Sequence, residues 1–420
     1  MVNLPLTKLA ETTSTITLGW TPPAEARGYV FVANGKRSST LDGSRSSAKF
    51  AKPGPYSVEA LGAIATGFYP PLVPPVFGSL LPPRLPESSG PVTNVSTVAQ
   101  LQAALGSVAN GGIINITASI DGGGSTLYLT RAAAATAPIT ITSLPGVLLT
   151  NFFQILPRGP YMRLRGLNIG YAQRDAIKID STAHHIELDG CTVHHTGKGV
   201  TPTGITTGIN VQASPSSIQV WNCVVYSNGN SMNGIHDHGI YWAYTGGVGC
   251  VLGSCVFYDN NCFNVQIYPD APDLIVTCCT VDGGEIHPTS SESRGGIVYA
   301  DVGDGMERDT ITVGCISTNA PNYYGMGPYN PSYVGTNNNA FDCIGYGNAD
   351  GSFNPVAGKM IYTNCVTADP LYVNRAAHDF RLKAGSPAIG LIQPARYGYV
   401  APADILGRPR VTADAGAYAT

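Results

Sequence analysis

Charge is scarce in this chain of 420 residues. Asp, Glu, Lys and Arg make up 12% of it, and 24 basic against 27 acidic side chains leave a net charge of −3. That is about half the charged share of an ordinary globular domain. No block of Lys and Arg relieves the scarcity, so no nucleic-acid partner is expected. No apolar run reaches the roughly 18 residues that a membrane-crossing helix requires, and no membrane span is expected. The opening MVNLPLTKLAETTST lacks a basic region followed by an apolar core, so a secretory signal is not expected either. Ten cysteines are present, but no C-x-x-C pair stands near histidines at ligand spacing. Neither a metal site nor a cofactor is therefore expected.

What the chain does have is a line of text that recurs. It reads AIKIDSTAHHIELDGCTVHHTG from Ala176, GINVQASPSSIQVWNCVVYSNG from Gly208 and GIYWAYTGGVGCVLGSCVFYDN from Gly239. It returns as CFNVQIYPDAPDLIVTCCTVDGG from Cys262 and GIVYADVGDGMERDTITVGCIST from Gly296. Each line is an alternating apolar run, a polar turn, a second alternating run, a Cys with more β-formers, and a Gly/Asn break. Repetition at this period marks a solenoid, whose repeats bury their apolar faces only against neighbours. Alternation as in Ile177-x-Ile179 and Ile209-x-Val211 is strand spacing, which excludes a helical solenoid. The fold class is therefore all-β, a parallel β-helix.

Cys191, Cys223, Cys255, Cys279 and Cys315 occupy one place in successive lines, and Cys343 and Cys365 continue it. Their uneven separations reflect loops of different length between rungs of the same text. The expectation is an inward stack of small buried hydrophobes rather than disulfides or metal ligands.

Three segments divide the chain. Residues 1–67 alternate as short strands between Pro/Gly/Asn turns. The stretch TSTITLGWTPPAEARGYVFVANGK, with a Trp on an early strand and Pro-Pro after it, resembles a fibronectin type III module, shorter than a full seven-stranded sandwich. Residues 68–92 are proline-rich and read as an extended linker whose apolar side chains (Leu72, Val73, Val76, Phe77, Leu80 and Leu81) lie on another surface. Residues 93–420 hold the repeats. There Ser96 or Thr97 caps a short amphipathic helix over 97–108, followed by the strand GGIINI. This resembles the N-terminal cap of right-handed parallel β-helix proteins, and segments near 369–373, 379–390, 404–410 and 414–418 resemble their closing region.

With Ile177, Ile209, Ile240, Phe263 and Ile297 facing in, the outward neighbours are Lys178, Asp180, Asn210, Gln212, Tyr241, Asn264, Gln266 and Tyr268. Amides and phenols stacked rung on rung suit a glycan, whose hydroxyls and C–H faces they match. Just ahead of those strands stand Asp175, His236, His238, Glu292 and Arg294, the candidates for acid–base work on a polysaccharide. The IHDHGIY stretch resembles the GHG element of polygalacturonases, but the accompanying acidic and RxK elements are missing, as are the paired arginines of pectate lyases. His184-His185 and His194-His195 read as solvated turn residues.

A short fibronectin-like module, a proline-rich tether and a β-helix together resemble minor tail proteins of phages infecting actinobacteria. The stretches TITLGWTPPAEARGYVFVANGK and SAKFAKPGPYSVEAL carry that resemblance. It implies a virion component that folds in the host cytoplasm, docks on other phage tail proteins and presents the β-helix to host cell-surface polysaccharide. Ten cysteines without a secretory signal agree with cytoplasmic folding. Many such tail proteins are homotrimers, though nothing in the sequence sets the count. The alternative is a polysaccharide lyase or glycoside hydrolase acting on acidic polysaccharide.

Overall fold

The computed structural model describes residues 77–420 except 181–182, 201–203, 213–215, 231–235, 244–248, 270, 284–294, 301–308, 330–336, 355 and 357–358. It also describes the backbone of the strands between Val2 and Leu61. Contacts divide the chain into Met1–Pro74 and Pro75–Thr420. In the first unit, strands pair antiparallel in a sheet of four and a sheet of three. Trp20, Pro22 and Pro23, on which the fibronectin-like reading leaned, lie outside the described residues, as do residues 62–76.

The second unit is a parallel β-solenoid of the right-handed type, the hand that parallel strand crossovers take almost without exception. Its strands, mostly of three or four residues, stack into sheets of ten, eight and eleven. A three-residue strand cannot hold itself. Here each one bonds to a rung on either side and turns its apolar residues into a shared interior. One inward column on the eight-stranded sheet is Ile177, Ile209, Ile240, Val265, Ile297 and Met326. Each is fully buried, and burying such a side chain contributes roughly 1.5–3 kcal/mol. The helix Val98–Ser107 closes the first rung with Leu101, Ala104 and Leu105. Thr97 is its cap, accepting the Gln100 N–H at 3.2 Å, while Gln100 Oε1 reaches back to the Ser96 N–H at 2.8 Å. No helix among the described residues is long and apolar enough to cross a membrane.

The cysteines stack as the spacing predicts. Each precedes a strand of the ten-stranded sheet, and the following residues pair in register. The Cys223, Cys279 and Cys315 N–H groups each point at the next sulfur, 3.4 Å away. All ten cysteines are free thiols, and Cys365 on the last rung is the one not fully buried.

A second ladder was missed in the sequence. Asn228 Oδ1 accepts the Thr196 N–H at 3.2 Å, and Asn260 Oδ1 accepts the Asn228 N–H at 3.1 Å. Three rungs beyond Asn260, Asn348 Oδ1 accepts the Ala320 N–H at 2.9 Å. Their amides donate back to Val193, Val225 and Ser317 carbonyls. These residues satisfy buried backbone at a corner where water cannot. The corner presses on the neighbouring backbone, so a Cβ on Gly208 would lie 2.6 Å from Gly239 O and 2.8 Å from Asn228 Nδ2.

Two outer faces are covered by the chain itself. Residues 77–91 run as a strap over the eleven-stranded sheet. Arg84 and the Leu85 N–H bind the Glu187 carboxylate, Arg163 joins Glu187 at 2.7 Å, and Gln219 donates to Pro83 O at 2.9 Å. The expectation that apolar residues of this stretch lie on another surface holds for Phe77 and Leu81, which pack near Trp221 and Val400. The C-terminal residues continue the cover: Ile392, Val400 and Ala401 pack on the same sheet, and Tyr372, Phe380, Ala388 and Ala415 cover the later rungs of the ten-stranded one, from Val256 onward. Two shallow clefts of about 220 and 200 Å³ lie along the strap, lined mainly by its prolines and by Trp221, His185 and Gln219.

Candidate functional site

The eight-stranded sheet keeps part of its outer face open among the described residues. The face column of that sheet runs Tyr128–Leu156 at the first rungs and then Lys178–Asn210–Tyr241–Gln266–Val298. Lys178, Tyr241 and Gln266 are half-buried there, and Tyr128 is exposed. The open part ends at Val298, which Phe263, Tyr323 and Cys262 cover. Alternation alone put Lys178, Asn210, Tyr241 and Gln266 outward, and the strands keep that parity.

A second face column stands two residues on. Asp180 is held by Arg158 from the preceding rung at 2.8 Å, and that guanidinium lies 5.1 Å over the Tyr128 ring. Gln212 and Tyr268 follow on later rungs, both half-buried, and the Tyr241 and Tyr268 ring centroids are 6.5 Å apart.

Two expectations are corrected. Asn264 is not on the face. It is fully buried at the corner, where its Oδ1 accepts from Asn260 at 2.7 Å and its Nδ2 donates to Gly283 O at 2.7 Å. Phe263 does not line the interior, because Val265 takes the register of Ile240 and Phe263 packs outside with Tyr323 and Tyr329. The reason is the same for both: the rung enters its strand two residues later than the text alignment implies.

Among the described residues the acid–base candidates do not converge as a catalytic set. Asp175 is buried, accepting the Thr207 N–H at 3.2 Å and Asn210 Nδ2 at 2.9 Å. Burial pushes its carboxyl up to about 6, against the pull of Asn210 and of the Lys178 and Arg174 cations. His238 is buried as well, and burial, with His236 nearby, holds its imidazole down at about 3. Thr207 stands between Asp175 and His238, bonded to the first through its N–H and to the His238 N–H through Oγ1. The two are thus two rungs apart, about 10 Å at the usual strand spacing. His236 is exposed. Glu292 and Arg294 lie outside the described residues.

The histidine doublets are corner residues rather than solvated turns. In each the Nδ1 atoms meet at 2.9 Å. His194 stacks on Tyr226, which stacks on Tyr258 at 4.9 Å. Burial, then His195, holds His194 down at about 4. No group of three His, Cys, Asp or Glu is placed to hold a metal among the described residues. Arg158, Thr207 and the corner asparagines escaped the sequence reading. The asparagines had a legible mark in VVYSN, VFYDN and IGYGN, where Asn recurs two places after Tyr.

No family model matches the chain, and no curated protein does. Among solved structures, the pectate lyase Pel9A aligns over 79% of this chain and 97% of its own, with 13% identity and a TM-score of 0.56. A rhamnogalacturonan lyase aligns over 72% and 93%, with 11% identity and a TM-score of 0.50. ORF18 of Geobacillus virus E2 aligns over 64% and 56%, with 13% identity and a TM-score of 0.38, too loose to carry an argument. At these identities the likeness is one of fold.

Proposed function

We propose that this protein is a phage minor tail protein or adhesin whose β-helix presents the eight-stranded face to a host cell-surface glycan. The observation that carries this is the division of the three outer faces. The eleven-stranded face is largely covered by the strap and C-terminal residues, and the ten-stranded face is covered by C-terminal residues from the Val256 rung onward. The third offers Lys178, Tyr241, Gln266, Gln212 and Tyr268, the amides and phenols that polysaccharides are bound by. In this reading the N-terminal strands form the fibronectin type III-like module that docks on other tail proteins, and their two antiparallel sheets support it. Ten free thiols support folding in the host cytoplasm before lysis and incorporation in the virion tail. A homotrimer packed through the open face would bury Lys178, Tyr241 and Gln266, so the reading assigns any trimer contact to other surfaces.

One observation favours the alternative, a lyase or hydrolase of acidic polysaccharide: a carboxyl at Asp175 whose proton exchanges near pH 6 is the kind of group a general acid or base requires. Against it, both Asp175 oxygens are occupied, and the charged groups that act on it are the Lys178 and Arg174 cations.

The test is incubation of purified protein with actinobacterial cell-wall polysaccharides, reading both retention and new reducing ends. Retention without cleavage, weakened tenfold or more by Tyr241→Ala and by Gln266→Ala, is the expected result. Cleavage abolished by Asp175→Asn or His238→Ala would replace the adhesin with the enzyme. Unchanged retention in both face variants would remove the face from the account.

A further inference from the structure

Two polar atoms on or beside the open face have no partner among the described residues. Asn210 is 4% exposed. Its Nδ2 donates to Asp175 Oδ2 at 2.9 Å, and its Oδ1 is buried without a partner. His238 is 1% exposed, and its Nδ1 accepts the Phe263 N–H at 3.3 Å. That bond puts the ring proton of the neutral imidazole on Nε2, for which no partner stands among the described residues. Tyr241 joins the two. It pairs with Asn210 across neighbouring strands, and its ring stacks on the His238 ring at 5.6 Å and 18°. An acceptor, a donor and an aromatic ring thus occupy adjacent rungs.

We propose that Asn210, Tyr241 and His238 form a subsite for one sugar residue that carries two adjacent hydroxyls. One hydroxyl donates to Asn210 Oδ1, its neighbour accepts from His238 Nε2–H, and the C–H face of the ring lies on Tyr241. The subsite rests on the reading of this face as the glycan-binding surface. A buried acceptor without a partner, as Asn210 Oδ1 is, is costly to leave unmade, and a diol supplies it with a donor while its second hydroxyl accepts from His238. Asn210 Oδ1 is out of contact with solvent, so the hydroxyl enters between the Lys178 and Tyr241 side chains, which are half-exposed on the rungs either side. His238 is a positioned donor, not a base, because burial keeps it neutral throughout the physiological range. Asp175 is a positioning residue: its carboxylate holds the Asn210 amide with nitrogen inward and oxygen free.

Affinity electrophoresis of the full chain in gels containing mannan, galactan or polygalacturonate tests this, each polymer also being run after periodate oxidation, which cleaves adjacent diols. The expected result is retention by at least one polymer, lost on oxidation. His238→Phe, which keeps the ring stack, and Asn210→Ala should each weaken retention tenfold or more. Wild-type retention should also fall below pH 6 as Asp175 takes a proton and frees the amide to turn. Arg174 and Lys178 are the charged groups beside Asp175, and His236 stands near His238. Asp175→Asn, expected to remove the pH dependence, is the control. The periodate and pH arms need no substitution and decide the matter even where a variant fails to fold. Retention that survives oxidation, or that Gln266→Ala weakens while His238→Phe and Asn210→Ala do not, overturns the subsite and leaves the face standing. Absence of wild-type retention on every polymer overturns the face and the subsite together.

Discussion

Replacing Glu187 by Ala should release the strap. Glu187 and Arg163 are each 1% exposed on their side chains and lie 2.7 Å apart. The same carboxylate takes Arg84 Nη2 at 2.5 Å and the Leu85 N–H at 3.0 Å. With Glu187 gone, the buried Arg163 guanidinium keeps only the Leu85 and Pro86 carbonyls as close partners, besides Glu87 at 3.4 Å. Stripping a buried ion of its partner costs about 3–5 kcal/mol. Lifting the strap returns Arg163 to water and relieves that cost, so the loss appears as strap opening rather than as collapse of the rungs. A shift of about 3 kcal/mol raises the open population roughly a hundredfold, and cleavage of an opened segment follows that population when reclosing is fast. Limited trypsin digestion read by mass spectrometry at the Arg84–Leu85 bond measures it. Arg84→Ala makes a graded comparison by thermal or denaturant stability, because Arg84 is 35% exposed on its side chain and a solvent-screened pair contributes only about 0–1 kcal/mol. Equal cleavage of the wild type and Glu187→Ala would refute the claim that this buried pair holds the strap.

Other expectations follow from the same packing. Asp175 has its folded pKa raised from 3.8 to about 6, so between those values the folded state holds the proton that the unfolded state has lost. Stability therefore falls as pH rises through this window, by up to about 3 kcal/mol at 1.36 kcal/mol per unit. Asp175→Asn should remove that loss and be the more stable protein at pH 7 but not at pH 3.5, as urea midpoints at the two pH values would show. Thiol titration of denatured protein should find close to ten free groups, and of native protein about one, Cys365; a denatured count near zero would overturn both the ladder and cytoplasmic folding. Asn260→Ala strips partners from Asn228 and Val225, at about 1–3 kcal/mol for each buried group left unpaired. A melting temperature unchanged by that substitution would mean that water replaces the asparagine at the corner.

Much of this molecule was open to reading from the chain alone, because a solenoid is built from local rules. Side chains in a strand alternate with a period of two, so Ile177, Ile209 and Ile240 face inward and Lys178, Asn210 and Tyr241 outward whatever the rest of the chain does. The cysteine column follows from the same repetition. Register is more fragile, and one late strand entry moved Phe263 and Asn264 out of the places alternation assigned them. What the sequence could not convey is which face stays open. That depends on contacts such as Arg84 with Glu187, separated by 103 residues, and on C-terminal residues that fold back over rungs laid down long before them. The corner packing around Thr207 and Phe263 buries Asp175 and His238 and turns apparent acid–base residues into fixed hydrogen-bonding groups. Alternation is encoded between neighbours two apart, whereas burial is decided by whatever segment arrives from elsewhere, and only the folded chain shows it.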